Sequence, residues 1–407
     1  MLNHVYHQTI LTLAGIEHEL SFETVRVLNT HQLSPIQILA SLKFSYIYGC
    51  LERLTENIKK LRIKVLLILL TLLFANYANG QANYFEYKSL RKGKEFSFPV
   101  FSNLNDSLTA RNINQLLQLS ELELLDGCQI NNLFEEVRVD NGGLNGGKVE
   151  ISFDILTNNP KILSIKFNES SCGMTCTYWV KYYNFNSGNG DQVQLKDLFT
   201  TEGFTTFNKI ILRKRSAKFK REIKKYPSGG RESLLYVLDC YNDDDLHDFY
   251  LKDTSIAIDG ENCLNKNDKI ADIDMTTSYN LSEFKNYLND YGKTVFGIKT
   301  DNVSKYRSYE LPQLYEGTID NSLKILLIMR HDIGNKIIGG YTYLKSGRLI
   351  YLEGELSDKK LNLTEKTSRY DDNGSFNAIF DGKQITGTWT NKSKSKSLRF
   401  TAARRTP

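Results

Sequence analysis

Histidine and cysteine limit the chemistry open to this chain. The 407 residues include six of each, and only His247 and His331 follow residue 80. Metal-dependent deacetylases need a histidine pair with an aspartate, and hydrolase triads need a serine or cysteine beside an oriented histidine. No His-x-x-x-His, His-Glu-x-x-His or Gly-x-Ser-x-Gly occurs. A glycosidase working through two carboxylates stays open by residue type, although no spacing selects a pair. Cys172-Gly-Met-Thr-Cys176 lacks the Cys-x-x-Cys spacing and further ligands of a zinc site, so a disulfide closing a tip is expected. Cys240 and Cys263 flank the next hairpin and form the second expected pair, leaving Cys128 over. The run from Asp243 to Asp248 lacks the glycine and final glutamate of a calcium loop and reads as a solvated turn. No metal, cofactor or catalytic residue is expected.

Binding is the better prospect. Tyr178 and Trp179 follow the cysteine tip, and aromatics beside a constrained tip make good anchors. Cys172, Met174, Cys176, Tyr178 and Trp179 are therefore the candidate contact, with the alternative that Trp179 alternates inward as core. The elements that must hold this tip run from Val149 to Phe199, where apolar and polar residues alternate as in half-buried antiparallel strands. A strand at Phe96–Phe101 and a helix from Leu108, with Leu108, Ile113, Leu116 and Leu117 on one side, precede them. Gly142–Gly147 reads as a hairpin turn without phosphate-loop features.

A second helical pattern runs from Phe204 to Tyr226, with Phe207, Ile210, Ile211 and Ile223 as core candidates. Its many lysines and arginines are either a solvated back or a surface for an anionic polymer or membrane. A hairpin at 248–258 and a short helix from Tyr279 to Leu288 follow. From Tyr315, eight short alternating runs begin near Gly317, Lys324, Lys336, Arg348, Lys360, Ser375, Lys383 and Ser397, the rhythm of an up-and-down antiparallel barrel. Ile325, Leu327, Ile337, Tyr341, Leu349, Tyr351, Leu361, Leu363, Phe376, Ile385 and Phe400 are its expected interior. Their size and apolarity predict a filled barrel, with an apolar-ligand pocket as the alternative.

Export is read from Lys59 to Gly80: a basic head, the apolar run Val65–Ala75, and small residues Ala78 and Gly80 before a cut ahead of Gln81. The run is shorter than the ~20 residues of a membrane-spanning helix. Because a signal peptide should begin a protein, translation is expected to start near Ile58. The alternative is a cytoplasmic tail and an uncleaved anchor. After residue 80 the chain carries 45 Lys/Arg against 42 Asp/Glu, a balance that argues against nucleic acid as a partner.

The pieces Phe98-Pro-Val-Phe, Asn112-Ile-Asn, Val149-Glu-Ile-Ser-Phe-Asp, Leu163-Ser-Ile, Tyr183-Asn-Phe-Asn-Ser-Gly, Leu195-Lys-Asp-Leu-Phe, Phe249-Tyr-Leu-Lys-Asp and Tyr279 with Leu281–Leu288 occur in order over residues 94–290. Together they resemble a secreted PdaC/RsiV-like module, made of a deacetylase PdaC-like half and the half shared with a lysozyme-sensing anti-sigma factor. That resemblance implies an α+β fold, an extracytoplasmic setting, and association with peptidoglycan chemistry or lysozyme. Two departures stand out: Ser171–Cys176 replaces the family's Gly-Gly-Ala-His hairpin tip, and the polar Glu261–Lys269 segment replaces its Pro-Tyr loop. The C-terminal part is similar to lipocalin-type or avidin-type barrels in rhythm only.

The expected organisation is an upstream extension (1–58), a signal peptide (59–80), an α+β domain of antiparallel sheets with a few helices (81–298), a linker (299–314) and an eight-stranded antiparallel β-barrel (315–407). The expected function is a secreted or periplasmic non-catalytic binding protein of the bacterial envelope. Its partner would be an envelope protein such as lysozyme, or peptidoglycan glycan, without a membrane span in the mature form. A membrane-anchored lysozyme-sensing regulator and a carboxylate-based glycan hydrolase are the alternatives.

Overall fold

The computed structural model describes residues 84–405 except 126, 129–131, 139–146, 174–175, 243–247, 265–272, 274, 309–310, 333–334 and 367–371. The signal-peptide segment, His247, Met174 and most of the Gly142–Gly147 turn lie outside the described residues. No helix among the described residues is long and apolar enough to cross a membrane.

The first layer is a five-stranded sheet in the order β1 (Glu86–Lys92), β2 (Phe96–Ser102), β3 (Glu150–Asn158), β4 (Ile162–Cys172), β5 (Cys176–Asn186). Its pairings are antiparallel except the short parallel contact of β2 with β3. Helix α1 (Ser107–Glu121) packs on this sheet and begins at Asp106, whose side chain accepts from the Thr109 amide in an ordinary N-cap. Asn114 fixes the helix against β2 by two 2.8 Å hydrogen bonds with the backbone of Phe101. Ile113, Leu116 and Leu117 are buried as expected, but Leu108 is 55% exposed. Five residues before Ile113 is about 500° of helical rotation, which puts Leu108 on the opposite face.

A small sheet, β6 (Phe249–Lys252), β7 (Ser255–Ile258) and β8 (Thr277–Asn280), is antiparallel throughout. The Leu251 carbonyl accepts from Thr157 and Ser164, and Asn184 donates to the Phe249 carbonyl, tying β6 to the larger sheet. Tyr279 lies in β8 rather than in a helix. A helical turn (Leu281–Phe284) starts only after it, capped reciprocally by Asn280 and Glu283.

The basic helix α2 (Thr201–Glu222) buries Phe207 and Ile211, with Ile210 half-buried. Part of its charge is committed to the fold: Lys214 bridges to Glu283 and the Ser278 carbonyl, Lys218 donates to Thr276, and Arg215 is buried. Lys209, Arg213, Lys220, Arg221, Lys224 and Lys225 remain on the exposed back. The Cys240–Cys263 disulfide closes a satellite core around Phe219, Ile223, Val237 and Met275.

Eight strands form a closed antiparallel barrel: β9 (Gln313–Ile319), β10 (Leu323–His331), β11 (Lys336–Tyr343), β12 (Leu349–Ser357), β13 (Lys360–Lys366), β14 (Asp372–Phe380), β15 (Gln384–Asn391) and β16 (Ser397–Arg404). Sequential strands pair, and β16 returns to β9. The interior stacks Tyr341, Phe376 and Phe400 edge to face, with Ile325, Leu327, Ile337, Leu361, Leu363 and Ile385 around them. Two expected interior residues point the other way. On β12 the inward positions are Ile350 and Leu352, so Leu349 packs against the first module's core and Tyr351 lines a cleft outside the barrel. Strand period two makes this a one-residue error of phase. The interior is also less purely apolar than expected, because buried Glu365 accepts 2.5 Å hydrogen bonds from both Tyr341 Oη and Trp389 Nε1.

Barrel and α+β part form one compact unit across residues 81–407. Leu314, Leu326 and Ile328 belong to the same core cluster as α1, and Arg348 pairs with Glu136 at 2.8 Å. Asp191, on the loop after β5, meets Arg404 at 2.6 Å and Arg307 at 3.4 Å. Burial raises the Asp191 carboxyl and the two guanidiniums pull it back. The segment from residue 299 to 308 is packed, with Val303 buried and its carbonyl, like that of Tyr306, accepting from Asn186.

At Gly387 on β15 a Cβ would lie 2.1 Å from the Asn377 carbonyl oxygen and 2.7 Å from the Ala378 Cβ. Gly387→Ala is expected to lower stability by about 1–3 kcal/mol through overpacking, read by thermal unfolding. An unchanged melting temperature would refute the close approach of β14 and β15.

Candidate functional site

The expected contact lies at the end of the β4–β5 hairpin. Cys172 and Cys176 pair in register and are joined by a disulfide, with Cα atoms 4.0 Å apart. Among the described cysteines Cys128 is the free thiol, half-buried beside Gly347 of the barrel. Tyr178, opposite Ser170, stands 50% exposed. Trp179 is a neighbour in sequence and not in role. It pairs with Glu169 across the strands and donates its Nε1 to Glu169 Oε2 at 2.5 Å. Of the two aromatics proposed as anchors, Tyr178 alone faces solvent, and Trp179 is held half-buried by its carboxylate.

Glu169 belongs to a buried charge cluster that sequence reasoning missed. Lys148 Nζ lies 2.7 Å from Glu169 and 3.0 Å from Glu121, and also donates to the Glu121 backbone carbonyl. Lys181 Nζ reaches Glu121 at 3.0 Å and Glu169 at 3.4 Å, while Tyr183 donates its hydroxyl to Glu121. Burial by itself would raise the Glu121 carboxyl, but the two ammoniums, with hydrogen bonds from Glu169 and Tyr183, bring it well below its ordinary range. Burial, then the Glu121 charge, push Glu169 up to about 7 against the pull of both lysines. Lys148 is raised, its partners outweighing its burial. Two carboxyl groups with separated pKa values are the signature of an acid–base pair. This pair does not have that use. A glycosidase leaves several ångströms between its carboxyls for the scissile bond. Here the carboxyls are joined by a hydrogen bond, bridged by ammoniums and without exposed side-chain surface.

The weak signals for this cluster were charges in inward phase. Glu121 falls four residues after Leu117 on the apolar face of α1, and Glu169 two residues after buried Phe167 on β4. Lys181 and Tyr183 carry the cluster to the surface, since both line a cleft of about 530 Å³ between β5 and the outer faces of β10, β11 and β12. Asn184, Gln192, Arg330, Ile338, Tyr351 and Glu353 complete much of its wall. His331, the barrel's one histidine, also lines this cleft. Among the described residues no group of histidine, cysteine and carboxylate side chains has the geometry to hold a metal.

Removing one ammonium leaves uncompensated buried charge. Lys148→Met is expected to cost about 3–5 kcal/mol in denaturant unfolding. A second prediction follows from the sign of the Glu169 shift. The folded chain keeps a proton there that the unfolded chain loses above 4.5, so this contribution is complete below pH 4.5 and disappears as pH rises to about 7. Glu121 acts oppositely, its contribution being lost only as the pH falls below 4.5. Glu169→Gln is therefore expected to flatten the decline in melting temperature between pH 5 and pH 7.5. An equally steep decline in the variant would refute the assignment.

No protein-family model and no curated protein matches the chain. A solved structure of a member of the DUF3298 family from Bacteroides fragilis is similar to 54% of this chain over 100% of its own length, at 14% identity and a TM-score of 0.37. A likeness at that score carries no argument about function.

Proposed function

We propose that this chain is a secreted or periplasmic, non-catalytic binding protein of the bacterial envelope, contacting an envelope protein such as lysozyme, or peptidoglycan glycan, through the β4–β5 tip. The observation that carries the reading is the disulfide-closed hairpin end with Tyr178 exposed beside it. The disulfide pins the two strand ends in register, which limits the entropy their flanking residues lose on contact. Trp179 and Glu169 support the tip from below, joining it to the buried lysines. Two disulfides favour an oxidising compartment. The near balance of charge weighs against nucleic acid. The carboxylate-hydrolase alternative loses its best pair, because Glu121 and Glu169 hold each other and two ammoniums rather than an open bond.

Pull-down with lysozyme and with purified peptidoglycan separates the partners. Retention of one of them is expected, and Tyr178→Ala should weaken it about tenfold, as loss of a central aromatic anchor does. The same substitution should leave the melting temperature unchanged. Retention of neither partner, or turnover of peptidoglycan by the purified protein, would overturn the proposal.

A further inference from the structure

The cleft between β5 and the barrel has unsatisfied groups that the tip does not use. Gln192 lines it, is only 7% exposed, and its side-chain oxygen has no hydrogen-bond partner. Leaving a buried polar group unmade is costly, and it is found where something else completes it.

The charges in the wall are not equivalent. Lys181 is committed to Glu121 and Glu169, Lys366 to Asp372 and Glu353, and Asp248 accepts from Asn262. Arg330 and Asp332 differ. They line the cleft, are exposed, and their side chains have no ion-pair or hydrogen-bond partner among the described residues. Arg330 is the next-to-last residue of β10, and Asp332 follows the strand's end at His331, two residues on. Among the described residues, the barrel edge thus presents a cation and an anion without side-chain partners, in a cleft that also holds a buried amide and apolar residues such as Ile338 and Leu349. A purely anionic ligand would meet Asp332, and a purely cationic one Arg330. A wholly apolar ligand would leave both, and Gln192, unpaired. The volume of about 530 Å³ falls in the range of small-ligand sites.

We propose that this cleft binds a short zwitterionic peptide, with its terminal carboxylate at Arg330, its terminal ammonium at Asp332 and a peptide group at the Gln192 amide. Guanidinium and carboxylate match in a charge-assisted pair, and the peptide unit supplies both the donor and the acceptor that a primary amide requires. The site is separate from the hairpin tip, so its failure leaves the tip reading standing.

The test is equilibrium dialysis of the full chain against a pooled tripeptide library, with free termini or with acetylated and amidated termini, read by mass spectrometry. Retention of free-terminus members over capped ones is expected. Arg330→Gln and Asp332→Asn, both on exposed side chains, should each cut that retention about fivefold or more without shifting the ligand-free melting temperature. Gln192→Leu should reduce it as well. No retained tripeptide, equal retention of capped peptides, or unchanged retention by Arg330→Gln would overturn the proposal.

Discussion

The buried pairing of Glu121 and Glu169 with Lys148 and Lys181 is the constraint on which the first module depends. Removing ionised groups from water costs several kcal/mol for each, and attraction offsets that only when every charge is surrounded by partners. Here each ammonium meets both carboxylates, while Tyr183 and Trp179 occupy further acceptor positions. The four charges come from the end of α1, the approach to β3, and strands β4 and β5. A register slip of one residue on β4 or β5 would move Glu169 or Lys181 to the opposite face and leave the others unpaired. The cluster thereby specifies the alignment of the hairpin whose far end holds the disulfide tip.

The same strands connect the module to the barrel. Lys181 and Tyr183 pass from the cluster to the cleft wall, and Asn184 and Gln192 continue along it. On the other side, the outward residues of β10 and β12 serve as core for α1, so the barrel has two faces in use. Its inward face packs aromatic rings around Glu365. Its outward face is shared between the common core with α1 and the cleft. Asp191 with Arg404 and Arg307 ties the last strand into this junction, a buried ion pair whose partners lie more than a hundred residues apart.

Much of the scaffold was legible in the sequence. The barrel strands begin close to the expected positions, from Lys336 and Lys360 to Ser397, because alternation with tight turns is a local pattern and the chain carries it eight times. The two disulfides also followed local logic, with one closing a hairpin and the other flanking one. Errors appeared where local pattern was ambiguous. Leu108 fits an apolar tally but falls on the wrong side of the helical wheel. Leu349 and Tyr351 alternate correctly but in the other phase, because β12 has apolar partners on both faces.

By itself, the sequence determined the strands, their turns, the cysteine tip and the scarcity of histidine, since each of these is set by residue type and short-range spacing. Only the tertiary structure decided which charges are buried together. Glu121, Lys148, Glu169 and Lys181 are separated by up to 60 residues, and the inward phase of Glu121 and Glu169 tells which face they point to but not which charges lie opposite. It also decided that Trp179 turns to Glu169 while Tyr178 faces water, and that Gln192 is enclosed without a partner. The physical reason is the same throughout: periodicity fixes the face a side chain points to, but what lies opposite that face is set by chain closure over long distances.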